Sequence, residues 1–405
     1  MSAKSPNWGT PPWTVSFRPK RKPLPSRVDF AIVGAGFSGL AAAAWLKRLA
    51  PEKSVIVLEA GSLGSGSSGR TGGMTLAESA AGDLPVLGNV IKNYKKILRD
   101  LRVTAGLNLP GAYELARGKY SMDGKEVHPL RDSPIDWSDS GRLRAVKKVP
   151  GGTVNPGKVL AGLARTAEKS GVFIFEHTKV TRFKPGDLIQ LHVRHAGKKR
   201  VIHAHRILFA TNAASLELTG LTQTSQPYLT FAIATEPLAK SQIRALGLAS
   251  RKPFYTVDFP YLWGRLFTPN AKRGFGKKDA IIFGAGLVPN FLLLSSSGRP
   301  EPVHTAAARS LDRFNIRKGQ SAERLRSLES RVRNLHPVLK NVRITHRWAG
   351  PILFTQKMRP IFRHHPKSRD LLILAGFNGH GVALSVYLGK WAAESLLGKR
   401  SLPRW

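Results

Sequence analysis

Residues 28–61 read VDFAIVGAGFSGLAAAAWLKRLAPEKSVIVLEAG, and no other stretch of the chain constrains its fold as tightly. An apolar run, residues 30–33, ends in Gly34, Gly36 and Gly39. An alanine-rich segment of helical character follows, and a second apolar run, residues 55–58, ends on Glu59, 20 positions after Gly39. Strand, glycine turn, helix, strand and acid together form a dinucleotide-binding fingerprint. Gly34 allows the tight turn, Gly36 lets a pyrophosphate approach the backbone, and Gly39 lets the helix lie close on the sheet. Phe37 and Ser38 open the helix, whose N-terminal amides and dipole favour phosphate. Glu59, followed by Ala60, can accept hydrogen bonds from a ribose 2′-OH and disfavours a 2′-phosphate.

Two further segments narrow the cofactor. Residues 64–74, GSGSSGRTGGM, form a small-residue loop with one cation, Arg70. Residues 375–398, AGFNGHGVALSVYLGKWAAESLLG, read as a strand end, a glycine turn and a helix. Gly379 and Gly381 permit close backbone approach there, and a helix starting near Val382 points its amide dipole at whatever lies before it. With residues 151–172, FATNA (209–213), ATEPL (234–238) and RWAG (347–350), these segments resemble the FAD-dependent oxidoreductases of the D-amino-acid oxidase superfamily, which are glycine and sarcosine oxidase-like. The nearest look is to the γ-glutamylputrescine oxidase-like branch, and the resemblance spans nearly the whole chain.

The resemblance implies an α/β fold: a discontinuous Rossmann-like FAD-binding domain with an inserted mixed, largely antiparallel β-sheet substrate domain. Its expected parts are an N-terminal tail at 1–27, an FAD-binding domain at 28–85, 151–225 and 346–405, and a substrate domain at 86–150 and 226–345. The tail is expected to be extended over the domain or disordered. The resemblance carries Ser67, Ser68, Gly69, Arg70, Thr71 and Gly72 over as a loop along the pyrophosphate and isoalloxazine. It also carries over Val180 at the adenine, Ala210 and Thr211 as further FAD contacts, and Gly379, His380, Gly381 and Val382 at the pyrimidine end of the flavin.

Two departures from the family shape the expected chemistry. The sarcosine oxidases tie the flavin to a cysteine, but this chain has no cysteine and places Ile352 at the nearest match, so FAD is expected to be noncovalent. Relatives that grip a substrate carboxylate often keep a cation after the glycine-His turn, where this chain has Ala383. That tilts the substrate toward an amine or a derivative with a remote carboxylate, with Arg265 or Arg347 as substitute anchors. Tyr255, Tyr261 and Trp263 are read as an aromatic wall suited to an amine, and Trp348 as a further part of it. Arg70, Tyr261, Arg265 and Trp348 are the candidates for touching substrate. The implied reaction is oxidation of the C–H next to nitrogen, giving an imine that hydrolyses. O2 is the implied acceptor, but a dehydrogenase stays open because no counterpart of the oxygen-promoting lysine is assignable.

Charge bears on partners. The chain has 64 Lys+Arg against 25 Asp+Glu, a net +39, spread through every segment. Nonspecific anion affinity is expected, with no specific nucleic-acid partner. An oxidoreductase acting on a modified tRNA base, or an FAD-stabilised binder of an anionic partner, stand as alternatives. No apolar run reaches the roughly 18 residues of a membrane span. The lack of cysteine and of a secretory signal suggests the cytoplasm, and oligomeric state is left open. His364 and His365 lack companions for a metal site. Helices are expected at 86–102, 156–171 and 302–335, with a hairpin pairing 189–195 with 201–205 around AGKKR and a separate strand at 207–210.

Overall fold

A computed structural model describes residues 6–269, 278–285 and 314–405. The fingerprint segment forms strand β2 (Arg27–Val33), helix α1 (Phe37–Leu49) and strand β3 (Val55–Leu58). They sit in an eight-stranded sheet whose parallel part runs β9 (Phe173–Phe175), β3, β2, β12 (Lys198–Phe209), β19 (Ser368–Ala375). Strands β10 (Thr178–Lys184) and β11 (Ile189–His195) extend it by antiparallel pairing onto the first half of β12, and β18 (Ile361–His365) pairs antiparallel with β19. The hairpin is tighter than expected. Ala196 at φ 47 and Gly197 at φ 79 turn the chain, so residues 201–205 and 207–209 belong to one continuous strand, which ends before Ala210.

Helix α1 is buried on nearly all sides because Ala41, Ala42, Ala43 and Ala44 are small enough to be sandwiched. It packs on α4 (Pro156–Lys169) and α6 (Gly381–Leu396). A Cβ at Gly389 would fall 2.5 Å from the Ser38 carbonyl oxygen, which shows how closely α6 approaches α1. Asn155 caps α4 through Oδ1, which accepts from Lys158 N–H at 3.1 Å.

The second body is a nine-stranded sheet in the order β1 (Gly9–Thr10), β17 (Ile344–Thr355), β13 (Ser225–Thr235), β16 (Ala280–Ala285), β15 (Trp263–Phe267), β14 (Phe254–Thr256), β5 (Ala112–Ala116), β7 (Arg142–Val149), β6 (Asp136–Ser138). Only the β14–β5 pairing is parallel among these strands. One face carries Phe231, Ile233, Phe254, Leu266 and Phe283 and is covered by helix α5 (Gly319–Leu335) through Leu325, Leu328 and Val332. Alternation along each strand therefore turns Glu114, Tyr255, Arg265, Ala232 and Trp348 to the opposite face. Of the helix expected at 302–335, residues 302–313 lie outside the described residues.

The packing bears on three of the expected parts. Helix α3 (Val90–Asp100) packs on α6 through Val90, Tyr94, Ile97 and Leu98, so residues 86–105 join the cofactor-side core instead of the substrate sheet. Strand β17 pairs along its length with β13, so residues 346–355 belong to the substrate sheet although Leu353 also reaches the cofactor-side core. The N-terminal segment is a strap from residue 7 onward: Trp8 and Trp13 are buried, Gly9 and Thr10 pair with β17, and Lys20 N–H donates to Glu168 at 2.7 Å.

Candidate active site

Each fingerprint glycine meets the constraint that its position predicts. Gly34 has φ +104, and a Cβ there would lie 2.6 Å from the Ala210 carbonyl oxygen. A Cβ on Gly39 would lie 2.0 Å from the Gly34 carbonyl oxygen, so helix and turn are in direct backbone contact. At Gly36 a Cβ would meet only Ser68 Oγ, at 2.9 Å. The protein backbone leaves the space over Gly36 free, as a phosphate cradle requires. Ser68 Oγ accepts from Phe37 N–H at 3.0 Å, tying the following loop to the start of α1. Thr211 Oγ1, beside the same turn, is buried and makes no hydrogen bond.

Glu59 is held by backbone. Its Oε2 accepts from Ala35 N–H at 2.9 Å and its Oε1 from Gly61 N–H at 2.9 Å. Burial raises its pKa above the usual carboxylate value, and the two amides only partly oppose that. Ala60 is exposed beside it. Val180 lies in β10 with its side chain in the core, so only its backbone is free for a ligand. The free cradle over Gly36, the orphaned Thr211 hydroxyl and the acid at the strand end fit the pyrophosphate and adenosine of FAD. Gly34, Gly36, Phe37, Ser38, Glu59, Ala210 and Thr211 would hold that end.

From Ser68 the loop crosses to the nine-stranded sheet. Ser67 Oγ donates to the Pro351 carbonyl at 2.7 Å. Three buried donors then grip the loop's carbonyls: Trp13 Nε1 to Gly69 at 2.7 Å, Trp348 Nε1 to Arg70 at 2.8 Å, and Arg265 Nε to Gly72. Trp263 covers Gly72, where a Cβ would lie 2.2 Å from its ring. Thr71 caps the short helix α2 (Ser67–Arg70) in extended conformation. This loop traces a corridor from the cradle to the sheet, and the 376–381 turn is tied to the end of β17, the strand against which Ser67 bonds. Asn378, at φ 51, accepts from Thr355 N–H at 2.7 Å and donates to the Gly376 carbonyl at 2.7 Å. Asn212 Oδ1 accepts from Gly376 N–H at 3.0 Å. Gly379 is exposed, His380 caps α6 with its imidazole pushed by burial below the usual range, and Gly381 and Val382 begin the helix.

Several substrate-side expectations change. Ala383 is 1% exposed and packs into the helix core, so its lack of charge takes nothing from the cleft. Arg347 makes a bidentate pair with Glu329 on α5 at 2.5 and 2.8 Å, away from the cofactor side. Trp348 is 1% exposed and belongs to the scaffold, not to a substrate wall. Arg70 turns from the cradle, donating to the Ser65 carbonyl at 3.0 Å and the Gly9 carbonyl at 3.3 Å beside Trp8. Tyr261 and Trp263 are half-buried, and Tyr255 is buried. The Tyr255 hydroxyl lies 3.1 Å from Glu78 Oε1 and 3.0 Å from Glu114 Oε1. Neither glutamate was legible as a site residue, because only tertiary pairing brings them to one tyrosine. Trp13 was missed for the same reason. Among the described residues no group of side chains could hold a metal, and no helix is long and apolar enough to cross a membrane.

Comparison with known proteins agrees with this geometry. Over 91% of its length the chain is 25% identical to the gamma-glutamylputrescine oxidoreductase of Escherichia coli (strain K12), covering 84% of that protein. It is also 25% identical over 98% of its length to the probable oxidoreductase OrdL of Rhizobium meliloti (strain 1021), covering 90% of it. Among solved structures, L-proline dehydrogenase from P. horikoshii superposes with TM-score 0.66 at 20% identity, over 94% of this chain and 96% of that one. Glycine oxidase from Geobacillus kaustophilus gives TM-score 0.60 at 16% identity, over 93% and 96%. These likenesses show the fold. The sequence profile of the FAD dependent oxidoreductases matches residues 29–395, so the chain belongs to that family of FAD-dependent oxidoreductases.

Proposed function

We propose that this enzyme oxidises an amine, or an amino-acid derivative, at the C–H next to nitrogen. The observation that carries the reading is the corridor traced by residues 67–72, which are tied to the cradle through Ser68 and Phe37 N–H and covered by Trp263 on the sheet face that bears Tyr255. FAD bound there would supply the hydride acceptor, and the imine product would hydrolyse in water. Gly36, Ser68 and Glu59 would anchor the dinucleotide, and the α6 N-terminus with Gly379 and Gly381 would offer amides to the pyrimidine end. Trp13, Trp263 and Trp348 exclude water behind the loop. Orientation is the main task left to the side chains, and no nucleophile is required of them.

Glu78 and Glu114 favour an amine over a free α-amino acid. No basic side chain lies within ion-pair distance of either carboxylate among the described residues, and Lys125 acts on both only from farther off, so a negative local potential is partly but not fully offset. The compound in the name of the Escherichia coli relative, gamma-glutamylputrescine, has the same character of an amine remote from its carboxylate. Anaerobic bleaching of the bound flavin by a panel of amines, N-methyl amino acids, polyamine conjugates and tRNA tests the reading. Bleaching by an amine supports it; bleaching by tRNA alone would transfer the function to nucleic acid. Oxygen uptake during turnover separates an oxidase from a dehydrogenase.

A further inference from the structure

Arg265 is 5% exposed and has no carboxylate within ion-pair distance among the described residues. Its Nε donates to the Gly72 carbonyl and its Nη1 to the Leu266 carbonyl at 3.2 Å. A Cβ on Gly73 would lie 2.9 Å from Nη2, so the guanidinium lies directly against the Gly72–Gly73 turn. The Trp13 ring is 5.9 Å from its carbon centre, and the charged group that acts on it is Arg251, of like sign. A buried cation held only by neutral carbonyls is costly, and a neutral donor could hold the same oxygens. The charge therefore has a use beyond the hydrogen bonds.

Among the described residues, the other cations near the corridor do not supply one. Arg70 points to Ser65, Gly9 and Trp8, Arg347 is spent on Glu329, and burial holds His380 toward its neutral form. Two-electron reduction of a flavin leaves negative charge on its pyrimidine side, which a fixed cation stabilises. We propose that Arg265 is a positioning residue that holds the Gly72–Gly73 turn against the flavin and provides the fixed positive charge that favours flavin reduction. The inference rests on FAD occupying the corridor, and wild-type protein that binds no flavin would sink that reading first.

The test uses the holoenzyme and two readouts independent of turnover: the flavin midpoint potential and the affinity for sulfite, which adds to electron-poor flavins. Arg265→Met should lower the potential and weaken sulfite binding by about 10-fold or more, and Arg265→Lys should keep most of both. Trp13→Phe removes the neighbouring bond to Gly69 but leaves the charge, so it should loosen FAD without changing sulfite affinity per bound flavin. Wild-type potential and sulfite affinity in flavin-loaded Arg265→Met would overturn the proposal. So would a Trp13→Phe shift as large as that of Arg265→Met. If Arg265→Met cannot hold FAD, Arg265→Lys decides the matter. Arg265→Lys keeps a cation against the turn, so at about pH 6 its sulfite affinity per bound flavin should stay within about threefold of the wild type's; a loss of about 10-fold or more overturns the proposal.

Discussion

Trp348 donates its indole N–H to the Arg70 carbonyl across 2.8 Å, joining the second strand of the nine-stranded sheet, β17, to the cofactor loop. Trp13 meets the Trp348 ring edge-on, with centroids 5.7 Å apart, and holds the preceding carbonyl, Gly69. The strap, the sheet and the loop thus close on one another through two indoles. Trp348→Phe keeps most of the packing and deletes one donor, stranding a carbonyl in a dry site. The expected cost is about 1–3 kcal/mol, read as a lower thermal midpoint of the apoprotein together with weaker FAD retention. An unchanged midpoint would show that the bond is replaced by water.

The fingerprint glycines should separate folding from cofactor binding. Gly36→Ala meets only the movable Ser68 hydroxyl, so the apoprotein should fold with near-normal stability yet lose FAD. Gly39→Ala drives a methyl into the Gly34 carbonyl oxygen, and α1 must leave the sheet. A loss of about 1–3 kcal/mol or more is expected. Circular-dichroism melts of the two apoproteins, with flavin absorbance of each purified sample, check the contrast.

These glycines were legible because each answers a local demand, a turn or a close approach that neighbouring residues already announce. Residue facing was harder to read. Arg347 and Trp348 are adjacent, and only the pairing of β17 with β13 and β1 decides that the arginine goes to Glu329 while the tryptophan goes to the loop. Ala383 stands one residue past Val382, but the packing of α6 on α1 and α3 turns it inward. Likewise the amphipathic pattern of α3 does not state which core it will cover, and the packing puts it on α6. The strap's role depends on contacts such as Trp13 with Gly69, 56 residues apart.

Asp139 joins the sheet to α5. It accepts from Arg331 at 2.8 and 2.7 Å and from Arg117, which also pairs with Asp258. Burial alone would raise its pKa, but the hydrogen bonds and charges of Arg331 and Arg117 prevail and lower it. A carboxylate with a lowered folded pKa contributes stability above its unfolded value of 3.8, and loses it as pH falls through the lower folded value. Asp139→Asn should cost about 3–5 kcal/mol at neutral pH. Urea midpoints of the two proteins should converge only well below pH 3.8, and a gap that is constant with pH would contradict the network.

Glu59 behaves in the opposite sense. Its folded pKa is raised by burial, so its contribution is complete below the unfolded value of 4.5 and declines as pH rises through the folded one. Glu59→Gln resembles the neutral acid, although one backbone N–H then faces an amide NH2. In the apoprotein the stability difference should therefore move in favour of Glu59→Gln as pH rises above the unfolded value of 4.5. Bound FAD should reverse the preference if the carboxylate accepts from the ribose. Melting curves with and without FAD across that range measure both halves.

The substrate prediction now rests on the cleft itself. Ala383 is buried and says nothing about a carboxylate, whereas Glu78 and Glu114 both approach the Tyr255 hydroxyl on the sheet face turned to the loop. One tyrosine proton cannot serve two carboxylates at once, so negative potential remains there. An α-carboxylate held near these glutamates meets repulsion of about 4 kcal/mol at 4 Å for an effective dielectric of 20, before any relief from water or from the buried Arg265. Glycine, sarcosine and D-alanine should then reduce the flavin about 10- to 100-fold more slowly than an amine of similar size. Glu114→Gln should narrow that gap, by speeding the amino acids more than the amines. Stopped-flow reduction at saturating flavin occupancy tests both statements. Sarcosine or glycine outpacing every amine, or a Glu114→Gln variant with an unchanged ratio, would show that the glutamates do not face the reacting carbon.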